Sequence, residues 1–190
     1  MLDTKLRLLV VEDEPAVRTS LCLVLSELGY EVRAAENGFS ALSELRKAPP
    51  DILISDLHMP AMSGFELLSV VRRRFPAIPV IAMSDAFASD AIPDGVAADS
   101  FYRKGSGIDV LLKAIARSSS SQPIPRTQTP IWIAQNGHDS SGDAFVTLAC
   151  PDCLRTFPHV LSHSTRSITT TNCIHCAILI SFAIATASSV

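Results

Sequence analysis

The chain has 190 residues, of which 47% are hydrophobic and 18% are charged, and this indicates a folded protein with one ordinary domain and a small second one. Its net charge is −3, and residues 119–190 carry only three basic and three acidic residues, which argues against nucleic-acid binding. Acidic residues follow the first apolar run too soon for a secretory signal, and the most apolar stretch, residues 177–184, is shorter than the roughly 20 residues that cross a bilayer. We therefore expect a cytoplasmic protein without membrane contact.

Residues 1–118 alternate between strand-like and helix-like segments. Short apolar runs predict five strands, at residues 6–11, 30–35, 52–56, 78–83 and 100–103. Apolar residues at spacings of three and four predict helices that begin near residues 15, 39, 65 and 108, and a weaker helix at 88–97. Five such units predict an α/β fold with a doubly wound, five-stranded parallel sheet and right-handed crossovers.

Acidic, hydroxyl and ammonium side chains stand at the ends of four predicted strands. Glu12 and Asp13 end the first strand, Asp56 the third, Ser84 the fourth and Lys104 the fifth. The carboxyl ends of parallel strands share one edge of the sheet, so we expect these groups to meet there. Three converging carboxylates favour a bound cation, and oxygen ligands suit Mg²⁺. With Mg²⁺ and Lys104 to neutralise charge, Asp56 is a candidate nucleophile toward a phosphoryl group, and Ser84 a hydroxyl donor to it.

Two short segments carry a family resemblance. The sequence VVEDEP at residues 10–15 resembles the acidic loop of the two-component response-regulator family, and DLHMPAMSG at residues 56–64 resembles its phospho-acceptor segment. Through them residues 4–118 resemble a CheY-like receiver domain of that family. The resemblance implies a flavodoxin-like receiver fold.

The same resemblance implies a role for each polar residue at the strand ends. Asp56 would be the phosphorylated aspartate, Asp13 a direct Mg²⁺ ligand and Glu12 an outer-sphere carboxylate. His58 would be a ligand to Mg²⁺ through its backbone carbonyl, and Ser84 would be the switch hydroxyl. Lys104 would pair with the phosphate, and Phe101 would be the switch aromatic.

Two positions depart from the family pattern. Gly105 stands where a proline normally follows the lysine, so the usual cis peptide, which is essentially a proline phenomenon, is in question. Asp85 follows Ser84 where a small apolar residue is expected. Turned inward, its carboxylate would repel a phosphoryl group; we expect it to turn outward and cap the next helix.

Each of these features also has a simpler explanation when taken alone. The acidic loop could complement the dipole of the following helix, Ser84 could be a helix cap, and Lys104 could be a solvated surface residue. Their joint occurrence in the right order favours the receiver interpretation. The arginines at 72–74 are expected to form a solvated helix face.

After residue 118 the sequence becomes rich in serine and proline. We predict a receiver domain at 1–118, a linker at 119–130 and a small region at 131–190. That region contains two Cys-x-x-Cys pairs separated by nineteen residues, a spacing typical of tetrahedral zinc. The four predicted zinc ligands are Cys150, Cys153, Cys173 and Cys176.

Strands predicted at 144–149, 168–171 and 177–184 flank the cysteine pairs, which favours a small β region similar to a zinc ribbon. About 60 residues with few aromatics can hardly form a stable core, so zinc should supply folding free energy. Four closed ligands leave no position for a catalytic water, so we predict structural zinc. A redox dithiol or disulfides are the alternatives, and His159, His163 or His175 could replace a thiolate.

We predict a response regulator that is not an enzyme beyond self-catalysed phosphorylation and dephosphorylation. Its predicted partners are a sensor histidine kinase or a histidine phosphotransfer protein and an unidentified downstream protein, and its state is a monomer or a phosphorylation-dependent dimer. Phosphorylation would draw in Ser84 and Phe101 and shift the face formed by the predicted helix 88–97 and the fifth strand. The alternative is a phosphorylation-independent, zinc-dependent module that binds protein or nucleic acid and carries a pseudo-receiver scaffold.

Overall fold

The computed structural model describes residues 5–86, 91–92, 96–120, 131–134, 137–138, 144–161 and 168–185. Some expectations lie wholly or partly outside these ranges: the helix at 88–97, the linker beyond residue 120 and the role of His163. Among the helices within these ranges, none is long and apolar enough to cross a bilayer.

Between residues 7 and 120, the described residues form an open sheet with helices on both faces. The elements in chain order are β1 (Arg7–Val11), α1 (Pro15–Glu27), β2 (Glu31–Ala35), α2 (Gly38–Lys47), β3 (Ile52–Asp56), α3 (Gly64–Arg74), β4 (Val80–Ser84), β5 (Ser100–Arg103) and α4 (Ile108–Ser120). The strand order is β2-β1-β3-β4-β5, with parallel pairing throughout. The predicted five-stranded parallel sheet is therefore confirmed. Its order reverses between β1 and β3, and α/β sheets bind ligands at such a switch point.

The sheet is covered on both faces, so its strands are apolar in both directions. In β1, Leu9 and Val11 belong to the apolar cluster under α2 and α3, whereas Leu8 and Val10 belong to the cluster under α1 and α4. All five residues of β3 are buried. This double burial explains why the strands read as continuous apolar runs and leaves polar groups at the strand ends.

The start of α3 is fixed against the end of β3. Ser63 caps the helix, because its side chain accepts a hydrogen bond from the Glu66 N–H at 3.3 Å. At Gly64, the first helical residue, an added Cβ would lie 1.9 Å from the carbonyl oxygen of Asp56. Only glycine permits this close backbone approach, which couples the position of α3 to that of Asp56.

Beyond residue 130 the chain forms two small sheets, and we call the described residues from 131 to 185 the C-terminal module. Its strands are β6 (Ile131–Ala134), β7 (Gly137–His138), β8 (Ala144–Ala149), β9 (Thr156–Val160), β10 (Thr169–Asn172) and β11 (Leu179–Ala185). One sheet has the order β10-β11-β6 and the other β7-β8-β9. The strands predicted at 144–149, 168–171 and 177–184 correspond to β8, β10 and β11. Strand β9 was not predicted, and it contains Pro158, which the edge position of β9 tolerates.

The C-terminal module packs directly against the first part of the chain. Strand β6 lies on α3, and Ile131, Ile133 and Phe182 belong to the same continuous apolar cluster as the residues of α2 and α3. As a result, every residue from Gly64 to Arg72 is buried, and the helix has no solvated face over that length. The sequence pattern alone did not indicate this shared core.

Glu66 is buried at the junction between α3 and the module. Its side chain is 2% exposed, and its Oε1 accepts a hydrogen bond from the Ala149 N–H at 3.3 Å. Burial raises the pKa of Glu66 to about 8, because the site is poor in groups that would stabilise a charge. The carboxyl is therefore mostly protonated at neutral pH.

The expectation that residues 72–74 form a solvated helix face is wrong for Arg72. Only 1% of Arg72 is exposed, and its Nη2 donates to Asp99 Oδ2 at 2.5 Å. The same oxygen accepts the Val80 N–H at 2.8 Å. A buried guanidinium requires such a counter-charge, and Asp99 is too distant in sequence for a local pattern to reveal it. Arg74 is exposed, as expected.

Helix α4 continues to Ser120, two residues beyond the predicted domain boundary at 118. Ser118 is buried, and its hydroxyl lies 3.4 Å from the hydroxyl of Ser100 on β5. Serine has only moderate helix propensity, and here the packing against β5 outweighs it.

Replacing Gly64 by alanine should destabilise the protein, because the new methyl group would meet the Asp56 carbonyl, a backbone group that cannot move aside. We expect Gly64→Ala to cost about 2 kcal/mol or more of unfolding free energy in urea denaturation. Gly38→Ala is the comparison, since Gly38 also begins a helix but its added methyl would meet side-chain atoms of the buried Met62, at 2.7 Å from Cγ and Sδ, instead of backbone. That variant should lose less stability than Gly64→Ala, because a side chain can shift where the backbone cannot. Equal losses in the two variants would contradict the close approach at Gly64.

Glu66 should make the stability of the protein depend on pH. Between about pH 5 and pH 8 the folded protein retains a proton on Glu66 that the unfolded chain has lost. Stability should therefore fall as pH rises through this window, by about 1.4 kcal/mol per pH unit. Glu66→Gln keeps an acceptor for the Ala149 N–H but cannot ionise, so its urea-denaturation free energies should lack this slope. Glu27→Gln, at an exposed position, is the control and should show the same pH dependence as the parent protein. The same pH dependence of the unfolding free energy in the parent and both variants would refute the raised pKa of Glu66.

Candidate functional site

The predicted acidic residues converge at the carboxyl edge of the sheet. Glu12 and Asp13 follow β1, and Asp56 is the last residue of β3. One side-chain oxygen from each of the three lies within 4.8 Å of the other two. Glu12 and Asp56 are 1% and 4% exposed, whereas Asp13 faces solvent. The cluster therefore combines two buried carboxylates with one at the entrance.

Lys104 joins this cluster from the end of β5. Its Nζ donates to Asp56 Oδ2 at 2.7 Å and lies 2.8 Å from Glu12 Oε2. Partial burial works to lower the pKa of Lys104, but the hydrogen bonds and charges of Asp56 and Glu12 outweigh it and raise that pKa. Burial raises the pKa of Glu12, and Lys104 partly offsets this effect. Lys104 is thus a protonated cation held between two carboxyl groups.

Arg18 holds the backbone of the acidic loop. From the first turns of α1 its Nη1 donates to the carbonyl oxygens of Glu12 and Asp13, at 2.6 and 3.0 Å. Sequence reasoning missed this positioning residue. Its only local signal is an arginine in the first turn of the helix that follows the loop.

Ser84 and His58 contact one another across the site. His58 Nδ1 lies 3.1 Å from Ser84 Oγ, and the same hydroxyl oxygen accepts the Ala86 N–H at 3.1 Å. The His58 backbone N–H donates to Asp56 Oδ1 at 3.2 Å. The sequence assigned His58 a role only through its backbone carbonyl, so the side-chain contact with Ser84 is an additional finding. It brings the imidazole next to the Ser84 hydroxyl, while the backbone of the same residue contacts Asp56.

The remaining predicted positions lie near the site. Phe101 is 8% exposed and belongs to the apolar cluster that also contains α3 and the C-terminal module. The Asp85 side chain is exposed. Lys104 is followed by Gly105 at φ +84°, and the part of the chain that the structure describes contains no cis peptide. The backbone after Lys104 thus reverses through a left-handed glycine.

The donor set fits a hard divalent cation. Three carboxylates opposed by one ammonium leave two net negative charges within a few ångströms. All the donors are oxygens and Asp13 is open to solvent, which suits Mg²⁺ with several retained waters rather than zinc. Asp13, Glu12 and Asp56 are the residues that would hold the ion.

The four predicted zinc ligands also lie together. Cys150 Sγ is 3.6 Å from Cys176 Sγ, and Cys153 Sγ is 3.7 Å from Cys173 Sγ. Tetrahedral zinc with bonds of about 2.3 Å places thiolates about 3.8 Å apart, whereas a disulfide needs about 2.05 Å. All four cysteines are free. The separations therefore fit a metal site and not two disulfides.

Electrostatics in this cluster also favour a cation. Burial raises the pKa of the Cys150 thiol to about 12. At Cys173 burial acts in the same direction, but N–H donors from His175 and Cys176 outweigh it and lower the pKa to about 7. Thiolates grouped so closely repel one another unless a metal ion neutralises them.

The neighbouring histidines are engaged elsewhere. His175 Nε2 lies 3.1 Å from the carbonyl oxygen of Thr156, and the His159 ring packs edge-on against Phe182 at 5.4 Å. Neither histidine belongs to the group of clustered metal-ligating atoms found among the described residues. The four cysteines are the better candidate ligand set.

Comparison with known proteins gives a consistent assignment for the first part of the chain. A family model described as the response regulator receiver domain matches residues 8–116, which include every candidate residue of the acidic site. Transcriptional regulatory protein GlrR of Escherichia coli (strain K12) is 38% identical over 113 residues, or 57% of this chain and 25% of GlrR. The chain thus matches about a quarter of the length of that relative.

Solved structures show the same fold. The chemotaxis response regulator CheY4 of Vibrio cholerae superposes with a TM-score of 0.56 and 31% identity, over 60% of this chain and 99% of that chain. Response regulator protein TrrA from Thermotoga maritima, in complex with Mg²⁺-BeF, gives a TM-score of 0.55 and 32% identity over 60% of this chain and 98% of that one. TrrA has also been solved in complex with histidine kinase ThkA, with the same TM-score of 0.55 and 97% of that chain covered. On the family match, the fold and the site together, this chain belongs to the response regulator receiver domain family.

Proposed function

We propose that this protein is a response regulator in which Asp56 accepts a phosphoryl group from a histidine kinase or a histidine phosphotransfer protein. The observation that carries the proposal is the contact of Lys104 Nζ with Asp56 Oδ2 at 2.7 Å, inside a cluster of three carboxylates at the switch point of the sheet. Phosphoryl transfer requires that the negative charge on the transferred oxygens be neutralised. The Lys104 ammonium and a divalent ion bound by the three carboxylates would do this.

Each residue of the site would have a separate role in phosphoryl transfer. An Asp56 carboxylate oxygen would form the new bond to phosphorus as the phosphorus–nitrogen bond of the donor phosphohistidine breaks. Lys104 would pair with one phosphoryl oxygen, and the Ser84 hydroxyl, now beside His58, would donate to another. When bound by Asp13, Glu12 and Asp56, Mg²⁺ would neutralise negative charge on the transferred group, with His58 contributing its carbonyl oxygen.

The comparisons support both the cation and the donor class. The related TrrA was solved with Mg²⁺-BeF and with the histidine kinase ThkA. By analogy, this chain would meet its kinase in the cytoplasm, where ATP is available and cysteines stay reduced. Its state would be a monomer or a phosphorylation-dependent dimer.

The shared apolar core supports an output through the C-terminal module. Helix α3 begins against Asp56 at Gly64 and carries Glu66, which bonds the module at Ala149. Phe101 lies in the same apolar cluster. Phosphorylation would therefore shift the equilibrium between packing arrangements of the module against α3. The output would be a change in the binding of a partner protein to the receiver domain or to the module. GlrR is named a transcriptional regulator, but the match to it covers only a quarter of its length. The C-terminal region has no excess of basic over acidic residues, which argues against direct nucleic-acid contact here.

Zinc would be structural in this scheme. Cys150, Cys153, Cys173 and Cys176 would be its four ligands and would leave no open position for water. The ion would hold the two Cys-x-x-Cys segments of the module together. In this way zinc would preserve the surface that covers α3.

Acetyl phosphate with Mg²⁺ should phosphorylate the protein on Asp56. Intact-mass spectrometry should detect one added phosphate that survives acid and is lost in base, as an acyl phosphate does. Asp56→Asn should abolish the adduct, because the amide is not a nucleophile toward phosphorus. The exposed Asp109→Asn is the control and should be phosphorylated like the parent protein.

Absence of an adduct under saturating donor and Mg²⁺ would refute the acceptor role. The chain would then be a pseudo-receiver scaffold that carries a zinc-dependent binding module, and its capture of partners would not change with phosphoryl donor. An adduct that persists in Asp56→Asn would place the acceptor elsewhere.

Native mass spectrometry should find one zinc ion per chain. Cys150→Ser should lose the ion, while Cys22→Ser should keep it, because Cys22 lies in α1 outside the cluster. Loss of zinc should also speed amide hydrogen exchange in α3, since the covering module would loosen. A metal-free chain with two disulfides would overturn the zinc assignment.

A further inference from the structure

A cleft of about 390 Å³ opens between α2 and the part of the module that carries the four cysteines. One wall is a face of α2, where Phe39, Leu42 and Arg46 recur at intervals of three and four residues. The other wall comes from the module, through Leu154, Arg155 and His175. The two parts of the chain therefore form this cleft jointly, and neither forms it alone.

The cleft is positively charged. Arg46 and Arg155 both line it, and neither guanidinium makes a hydrogen bond or ion pair with another residue in the described part of the chain. The described lining residues include no acid. Glu44, the nearest acid on α2, is already bound by Arg33 at 3.0 Å and Lys47 at 2.7 Å. Two uncompensated positive charges thus face one concave space.

The floor of the cleft is apolar. Leu42 and Leu154 are 3% and 8% exposed, and Phe39 packs against the same core while remaining partly accessible. The contact of His175 Nε2 with the Thr156 carbonyl fixes the imidazole as one side of the space. A ligand that packs on these apolar side chains needs an apolar group of its own. To pair with the two arginines it also needs an anionic group.

We propose that this cleft is a binding site for a small aromatic carboxylate, with the ring on Phe39 and Leu154 and the carboxylate between Arg46 and Arg155. The planar guanidinium matches the two oxygens of a carboxylate, and the volume lies within the range of small-molecule sites. Because one arginine belongs to α2 and the other to the module, the bound anion ties the module to the receiver. The site does not depend on Asp56 chemistry.

Isothermal titration of the full chain, purified with zinc, tests the charge requirement with two probes of the same shape. The anion 2-naphthoate should bind about tenfold or more tightly than the neutral 2-naphthamide. Arg46→Gln and Arg155→Gln should each weaken 2-naphthoate binding by about fivefold or more and leave 2-naphthamide unchanged. Arg117→Gln, an exposed arginine in the last turn of α4, is the matched control and should bind both probes as the parent does.

Amide chemical shifts locate the probe independently of affinity. On titration with 2-naphthoate, the largest changes should fall on residues 39–46 and 154–156. Equal affinity for the two probes, unchanged binding in both arginine variants, or shifts centred elsewhere would each overturn the proposal. The measurement uses no phosphoryl donor, so its failure is distinguishable from a failure of Asp56 phosphorylation.

Discussion

A single ammonium group, that of Lys104, holds two buried carboxyl groups together at the switch point of the sheet. Taking Glu12 and Asp56 out of water is costly, and one cation cannot fully compensate three carboxylates. Such a cluster contributes little to stability and is better understood as a site prepared for further positive charge. Strand β3 is buried along its whole length, and the polar groups of the site stand at the carboxyl ends of the strands, where they meet.

Helix α3 connects this site to the rest of the chain. Its first residue, Gly64, touches the backbone of Asp56, and its third, Glu66, contacts the module through the Ala149 N–H. The module then covers the helix as far as Arg72. One helix therefore touches both the backbone of Asp56 and the C-terminal module. The same packing also creates the basic cleft beside α2, since Arg155 faces Arg46 only when the module is in place.

Local sequence patterns predicted those features that depend on neighbours in the chain. The strands of the parallel sheet, the order of polar groups at their ends and the two cysteine pairs all follow from short-range periodicity and spacing. What the patterns missed depends on partners far apart in sequence: the pairing of Arg72 with Asp99, the contact of His58 with Ser84, and the burial of Glu66. Ser63 and Glu66 have the spacing of a helix capping box, but the carboxyl of Glu66 bonds to β8 instead of the helix start.

The sequence by itself determined the parallel sheet, the acidic site at its edge and the grouping of four cysteines, because each rests on the period of apolar residues or on fixed spacing between reactive ones. Only the tertiary structure decided that the C-terminal module packs on α3, that Arg72 and Glu66 are buried, and that two arginines share a cleft. The physical reason is that burial and charge compensation are set by which surfaces meet, and no local pattern records a contact between residues that are dozens of positions apart.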